Sequence, residues 1–348
     1  VNHASSSWTL PAPAGIRFAL VVAVGAAACA ALPWAGCYEP PSGGTLQEGR
    51  PEAPPPSAIT DTTLRPEDLP PGVTSLRFGV PPFVSPEEVR AQYGPLMRTL
   101  GELLGVPVEL QVGESYDATI DGLVDGSLEL ALLPPASYVV ARRRQPKLQL
   151  LAAQLANGAT SYSSYILVRK EDPAEDLRDL RGRRITFVDR RSTSGYILPL
   201  AALLQHGLDP AKDFAEVRFA GSHFAAVEDL VRGDTDAAAT ASGMLSAARA
   251  AARGREEGMD FGDVRILAKA GRVPYDAVCA AATVPRSGAE RVRQALSSLN
   301  NSTAIGRRAL ASTNRVSGYA PVTDATYDGV RKVLARLKGR LKRREPQR

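Results

Sequence analysis

The chain is poor in the side chains on which enzymes most often rely. It has three histidines and three cysteines in 348 residues. His3 precedes an apolar leader, and His206 in LLQHGLDP sits at a helix end followed by a glycine stop. That leaves His223 as the single histidine available for a site. There is no GxSxG elbow, no HExxH and no CxxC, so a serine hydrolase, a zinc hydrolase and a thiol redox enzyme all lack visible machinery. A phosphate-binding GxxxxGK[ST] loop is missing as well, which argues against ATP use by this chain. No metal or cofactor is called for. Cys279, in VCAAATV, has the surroundings of a small buried core residue; a Cys279 and His223 dyad would rest on nothing local.

Apolar residues make up 44% and charged residues 23%, ordinary values for a soluble globular protein, so neither a disordered chain nor a multi-span membrane protein is indicated. The net charge of +5 invites a nucleic-acid reading, but the excess is local. From Arg331 to Arg348 nine Lys or Arg face one acid, Glu345, and removing that +8 leaves about −3 for everything before it. No basic nucleic-acid-binding face follows, and the basic tail, 339–348, is read as a solvated helix end.

Long apolar runs are also scarce. The one candidate follows Arg17, FALVVAVGAAACAALPWAGC, and is too short to span a bilayer comfortably while having the build of an export signal. WAGC, from Trp34 to Cys37, is similar to a lipobox, in which small residues precede a cysteine that is lipidated after cleavage. Residues 1–37 are therefore expected to be a signal peptide ending at a lipidated Cys37, with AAAC at Cys29 as a competing site. Such a protein is exported, periplasmic or at the cell surface, and held to a membrane by its lipid. With Cys37 so used, Cys279 alone remains in the folded body and no intrachain disulfide forms there. Residues 38–75, with PPSGG and PEAPPPS, lack apolar periodicity and are expected to form a disordered tether.

Folding is expected to begin at LRFGV, Leu76 to Val80, an alternating strand. Ser85, Pro86 and Glu88 then set a capping box for a helix whose apolar stripe is Val89, Tyr93, Leu96, Leu100 and Leu103. VPVELQV, a helix around Ala118 to Val124, LELALL and a helix through Tyr138 to Arg142 continue the alternation. A second series runs from SSYILVR through RRITFVD, a helix from about Thr193 to His206, EVRFA, a helix after His223 and DAAAT. The pattern predicts an α/β fold in two lobes, 76–162 plus 268–338 and 163–267, crossed by the chain near Ser163 and Val273, with a ligand cleft between them.

The most informative segment is RRITFVDRRSTSGYILP. A strand ends at Asp189 and Ser192, Thr193, Ser194 and Gly195 open a helix. Unpaired N–H groups and hydroxyls at a helix N-terminus suit an oxyanion, although the same hydroxyls also serve as simple caps. Five stretches, LRFGV, GESYDATIDGLVDGSLELALLPPASYVVA, SYSSYILVRKED, DLRGRRITFVDRRSTSGYILP and FAGSHFAAVEDLVRGDTDAAAT, occur in the order and spacing of a known family. Over Leu76 to Leu299 the chain resembles the phosphonate/phosphate/phosphite-binding proteins of ABC transporters, which have the type II periplasmic binding protein fold.

The resemblance implies that the hydroxyls and amides of Ser192, Thr193 and Ser194 bind a phosphorus oxyanion. It further implies that Tyr116 and Tyr162 reach or close over the anion and that His223 donates to it. Asp276 in VPYDAV matches an acid that holds the ammonium of aminoalkyl phosphonates in some members. Their second acid is missing here, where ATASGML has Gly243 or a neighbour, so phosphate, phosphite or a simple phosphonate gains as ligand. An ABC permease is the implied partner. A sensor of the same fold, reporting to a membrane kinase, fits the same residues.

Overall fold

In the computed structural model, which describes residues 61–156, 159–244, 263–313 and 316–341, the predicted capping box is in place: Ser85 Oγ accepts from the Glu88 amide, and the Glu88 carboxylate accepts from the Ser85 amide, each at 3.3 Å. It starts α1 (Pro86–Leu104), which lies between parallel strands β1 (Leu76–Val80) and β2 (Val108–Val112). The buried stripe ends on Leu104 where Leu103 was expected; Leu103 is only partly covered, and Met97 and Thr99 join the covered face. Next come α2 (Tyr116–Asp125), β3 (Leu130–Leu133), α3 (Pro135–Arg144) and β4 (Gln149–Ala156). Both helices begin earlier than their apolar periodicity indicated.

A second sheet takes over with β5 (Ser161–Arg169), β6 (Arg184–Phe187), a wide helical turn Thr193–Ile197 leading into α4 (Leu198–Gln205), the short α5 (Pro210–Asp213), β7 (Glu216–Phe219), α6 (His223–Arg232), β8 (Ala237–Ala241) and β9 (Val264–Pro274). The chain then returns through β10 (Ala277–Ala280), α7 (Arg286–Ser298), α8 (Ala304–Leu310), β11 (Val316–Ala320) and α9 (Asp328–Leu341). The first sheet has the order β11-β4-β10-β3-β1-β2 and the second β7-β6-β8-β5-β9. In each, parallel strands followed by helices are continued by antiparallel ones, β10, β4 and β11 in the first and β5 and β9 in the second. Strands β3 and β10 are buried along their whole length, as strands covered on both faces must be.

Three boundaries differ from expectation. β5 and β9 pair antiparallel from Ser161 opposite Pro274 to Arg169 opposite Val264, so 161–162 and 268–274 belong to the second sheet and the lobe limits at 162 and 268 move outward. An antiparallel ladder keeps its hydrogen bonds by running to the end of both strands. The part of the expected tether from Asp61 to Ser75 is not loose. Leu64 is buried, its amide donates to the Leu104 carbonyl at 2.8 Å, and the buried Asp68 meets Arg291 at 2.9 Å. A buried carboxylate needs a cation, and α7 supplies it. The tail assigned from 339 starts inside α9, which runs to Leu341. The expected signal peptide with Cys29 and Cys37, the rest of the tether and residues 342–348 lie outside the described residues.

Candidate functional site

The second lobe brings three of its candidate residues, Ser192, Thr193 and Ser194, to the cleft through one irregular turn. After β6 the chain makes the Ser192 to Gly195 segment, in which the Ile197 amide donates to the Ser192 carbonyl at 3.0 Å, five residues back, and Ser192 Oγ accepts from the Gly195 amide at 3.0 Å. Widening the first turn spreads its N–H groups, and the amides of Thr193 and Ser194 have no intrahelical acceptor there. Gly195 allows the turn to lie on β6: a Cβ at this position would stand 2.3 Å from Val188 Cγ2 and 2.8 Å from Ser192 Oγ. Gly195→Ala is accordingly expected to lower stability by about 1–3 kcal/mol through overpacking, seen as a fall in thermal midpoint.

Ser192, Thr193, Ser194, Tyr116, Tyr162, His223 and Asp276 all line one cavity of about 180 Å³. All seven are buried or nearly so; the sequence had placed them on five separate segments. Among the described residues that line it there is no lysine or arginine. Positive potential comes instead from helix ends: α2 starts at Tyr116, α3 is capped by Pro134, the wide turn starts at Thr193 and α6 at His223, and each of these four residues lines the cavity. Each N-terminus carries roughly half a positive charge. Two come from each lobe.

The side chains add neutral donors. Tyr116 and Tyr162 add two phenol hydroxyls, and burial raises both above their ordinary range, so both keep their protons. Burial lowers His223 to about 4, so it is neutral near pH 7. Its Nδ1 lies 3.1 Å from Thr240 Oγ1. With Nδ1 accepting from that hydroxyl, Nε2 carries the ring proton and is the donor left for the cavity. Asp276 follows β9 at the chain crossing. Its Oδ1 is buried without a hydrogen-bond partner among the described residues, and burial pushes its pKa up to about 7. An acceptor of this kind calls for a donor from outside the protein.

The lobes meet around the cavity. The Ala136 amide of α3 donates to Thr193 Oγ1 at 2.8 Å, the His223 amide to the Phe83 carbonyl at 3.0 Å, and Arg191 Nε to Asp117 Oδ1 at 2.7 Å. Tyr116 packs with Val188 and Ala226 in a small apolar cluster across the seam. This is a closed cleft.

Other lining residues were not singled out from sequence. Gln154 donates from Nε2 to the Tyr93 hydroxyl at 3.0 Å, and Tyr275 stacks at 5.3 Å from Tyr162. Tyr93 had been assigned to the core stripe of α1, which it also serves. Gln154 had a signal: an amide in the middle of the apolar strand QLLAAQLA needs a reason. Gly243, noted in the sequence at the place of the missing second acid, lines the cavity too, and a Cβ there would meet nothing within 4 Å among the described residues.

Comparison with known proteins gives concordant results. The family model of the periplasmic substrate-binding protein of phosphonate ABC transporters matches residues 78–327. The phosphate-import protein PhnD of Mycolicibacterium smegmatis is 28% identical over 269 residues, 72% of this chain and 82% of that protein. A binding-protein component of a phosphonate ABC transporter from Pseudomonas aeruginosa superposes with a TM-score of 0.69 at 18% identity, covering 79% of this chain and 88% of the other. PhnD1 from Prochlorococcus marinus, solved in complex with methylphosphonate, gives 0.67 at 19% identity, covering 76% and 98%.

Proposed function

The chain belongs to the family of periplasmic substrate-binding proteins of phosphonate ABC transporters and has their two-lobed type II fold, and from that premise we propose that its cleft closes on a small phosphorus oxyanion, phosphate, phosphite or a simple phosphonate, and presents it to an ABC permease without acting on it chemically. The observation that carries this reading is the cavity itself, which has four helix N-termini and several neutral donors but, among the described residues that line it, no lysine or arginine. A multiply charged anion is held by such a set without a buried counter-cation whose desolvation would have to be offset. In this reading Ser192, Thr193 and Ser194 grip the anion, Tyr116 and His223 complete its coordination, Tyr162 closes over it, and Asp276 takes a hydrogen bond from a protonated ligand oxygen.

The same reading includes export by the leader and a lipid on Cys37 that keeps the protein at a membrane. Among the described residues no helix is long and apolar enough to cross a membrane. Isothermal titration of the protein from Asp61 onward with phosphate, phosphite, methylphosphonate, 2-aminoethylphosphonate and sulfate tests the ligand class. Tight binding of one phosphorus oxyanion, with sulfate at least about tenfold weaker, is expected; no binding by any of them overturns the reading.

An aminophosphonate is disfavoured because Asp276 would have to hold the ammonium alone. Gly243, whose Cβ would meet none of the described residues within 4 Å, makes the converse testable. Gly243→Glu would offer a second carboxylate to the ammonium and is expected to raise affinity for 2-aminoethylphosphonate by about tenfold, worth one charge-assisted hydrogen bond, while lowering affinity for phosphate through like-charge repulsion. Titration of both ligands against the variant checks this.

A further inference from the structure

We propose that Asp117 and Arg191 form a closing pair across the mouth of the cleft that sets how long the oxyanion stays bound. The inference rests on the oxyanion reading above. Arg191 Nε stands 2.7 Å from Asp117 Oδ1, and the two side chains come from different lobes, one from the loop after β6 and one from the first turn of α2. Each is the chain neighbour of a cavity residue, Arg191 of Ser192 and Asp117 of Tyr116.

The loop that carries Arg191 is stiff. Its own amide donates to Asp189 Oδ1 at 2.7 Å, and the Ser192 amide donates to the Asp189 carbonyl at 3.0 Å. Tension between Asp117 and Arg191 therefore bears on Ser192 itself, and through it on the turn that offers amides to the anion. On the other side, the carboxylate of Asp117 lies near the N-terminus of α2, where it competes with the ligand for the same positive end. Arg191 neutralises that carboxylate when the lobes meet. The side chains remain partly exposed, at 36% and 50%, and neither is among the residues that line the cavity, so the pair is a positioning device at the rim.

Stopped-flow kinetics of the phosphorus oxyanion that the wild-type protein binds, on Asp117→Asn, Arg191→Gln, the double variant and the charge-swapped Asp117→Arg/Arg191→Asp, tests the pair. Both single variants are expected to raise the dissociation rate about two- to fivefold, as for a rim ion pair. Their association rates are expected to move in opposite directions, up for Asp117→Asn and down for Arg191→Gln, because one removes and the other adds net negative charge at the mouth. The double variant should dissociate no faster than the faster single one, and the swapped pair should return toward wild type.

Unchanged dissociation in both single variants, or additive effects in the double one, overturns the proposal. Small-angle X-ray scattering of the ligand-free proteins gives an arm independent of any ligand. The single variants should have a larger radius of gyration than wild type at low salt, and identical values count against the pair even if no oxyanion binds.

Discussion

Replacing Ser192 and Thr193 together by alanine is expected to weaken oxyanion binding by about 10²–10⁴-fold while leaving a folded protein of the same two lobes. Hydrogen bonds to a charged group contribute about 1.5–3 kcal/mol each, and two hydroxyls are lost. Each hydroxyl also has a structural duty. Ser192 Oγ caps the Gly195 amide, and its loss costs about 1 kcal/mol of stability. Thr193 Oγ1 receives the Ala136 amide from the other lobe, so its removal leaves that donor unpaired when the cleft closes. Thr193→Val separates these effects from a loss of shape, since it keeps the volume and removes the hydroxyl. Titration calorimetry with the best phosphorus oxyanion, read beside a denaturant unfolding curve, decides the matter. Unchanged affinity in the double variant would remove these hydroxyls from the site.

Asp276→Asn is expected to invert the selectivity of the cleft. Asp276 above neutral pH is an acceptor only, and its free oxygen demands a donor from the ligand. A protonated phosphorus oxyanion has one; sulfate near neutral pH does not. An amide in its place presents N–H to an unprotonated oxygen. Sulfate affinity should therefore rise, and affinity for the protonated oxyanion should fall, each by about ten- to a hundredfold, the worth of one charge-assisted bond.

The pH dependence follows from proton counting. The wild-type complex holds one proton between the carboxyl and the ligand oxygen. Below both pKa values a proton must leave for binding, and above both one must enter, so affinity should peak near pH 7, where burial has placed Asp276. The asparagine variant should lose the alkaline decline. Stability gives a second readout. The folded pKa of Asp276 lies above its ordinary value of 3.8, so between about 4 and 7 the folded chain holds a proton that the unfolded chain has lost. That contribution is present at acid pH and disappears as pH rises through 7. Asp276→Asn should accordingly raise the thermal midpoint of the ligand-free protein at pH 8 and change it little at pH 4.

The parts of this molecule that were legible beforehand were those encoded by neighbours in sequence. The Ser85 and Glu88 box, the α1 stripe, the strand before Ser192 and the hydroxyl run at a helix start all act over a few residues, and local pattern placed each of them, although the stripe ends on Leu104 where Leu103 was expected and the strand ends at Phe187 where Asp189 was expected. Long-range pairing was not legible. Nothing near Asp68 reveals that Arg291 will neutralise it, and a segment rich in proline and acids was therefore assigned wholly to the tether. The β5 and β9 ladder joins residues about a hundred positions apart, which is why the lobe limits were drawn too tightly. Tyr93 and Gln154 were hidden differently. A tyrosine on an apolar stripe has a buried ring in any case, and only the third dimension shows that its hydroxyl meets an amide beside the cavity. The wide turn at Thr193 also escaped notice, because an extra residue in one turn leaves no periodic trace.

The four helix ends that border the cavity have a further consequence for the empty protein. With the lobes shut and nothing between them, ends of like sign face one another across a gap that, among the described residues, no lysine or arginine lines and that excludes most of the water that would screen them. Closure of the empty protein is then electrically opposed, with the Asp117 and Arg191 pair pulling against these ends, and the bound anion is the counter-charge that tips the balance toward the shut form. A neutral molecule of the right size could enter and still fail to shut the jaws, so the shape that a permease meets would report charge as well as fit.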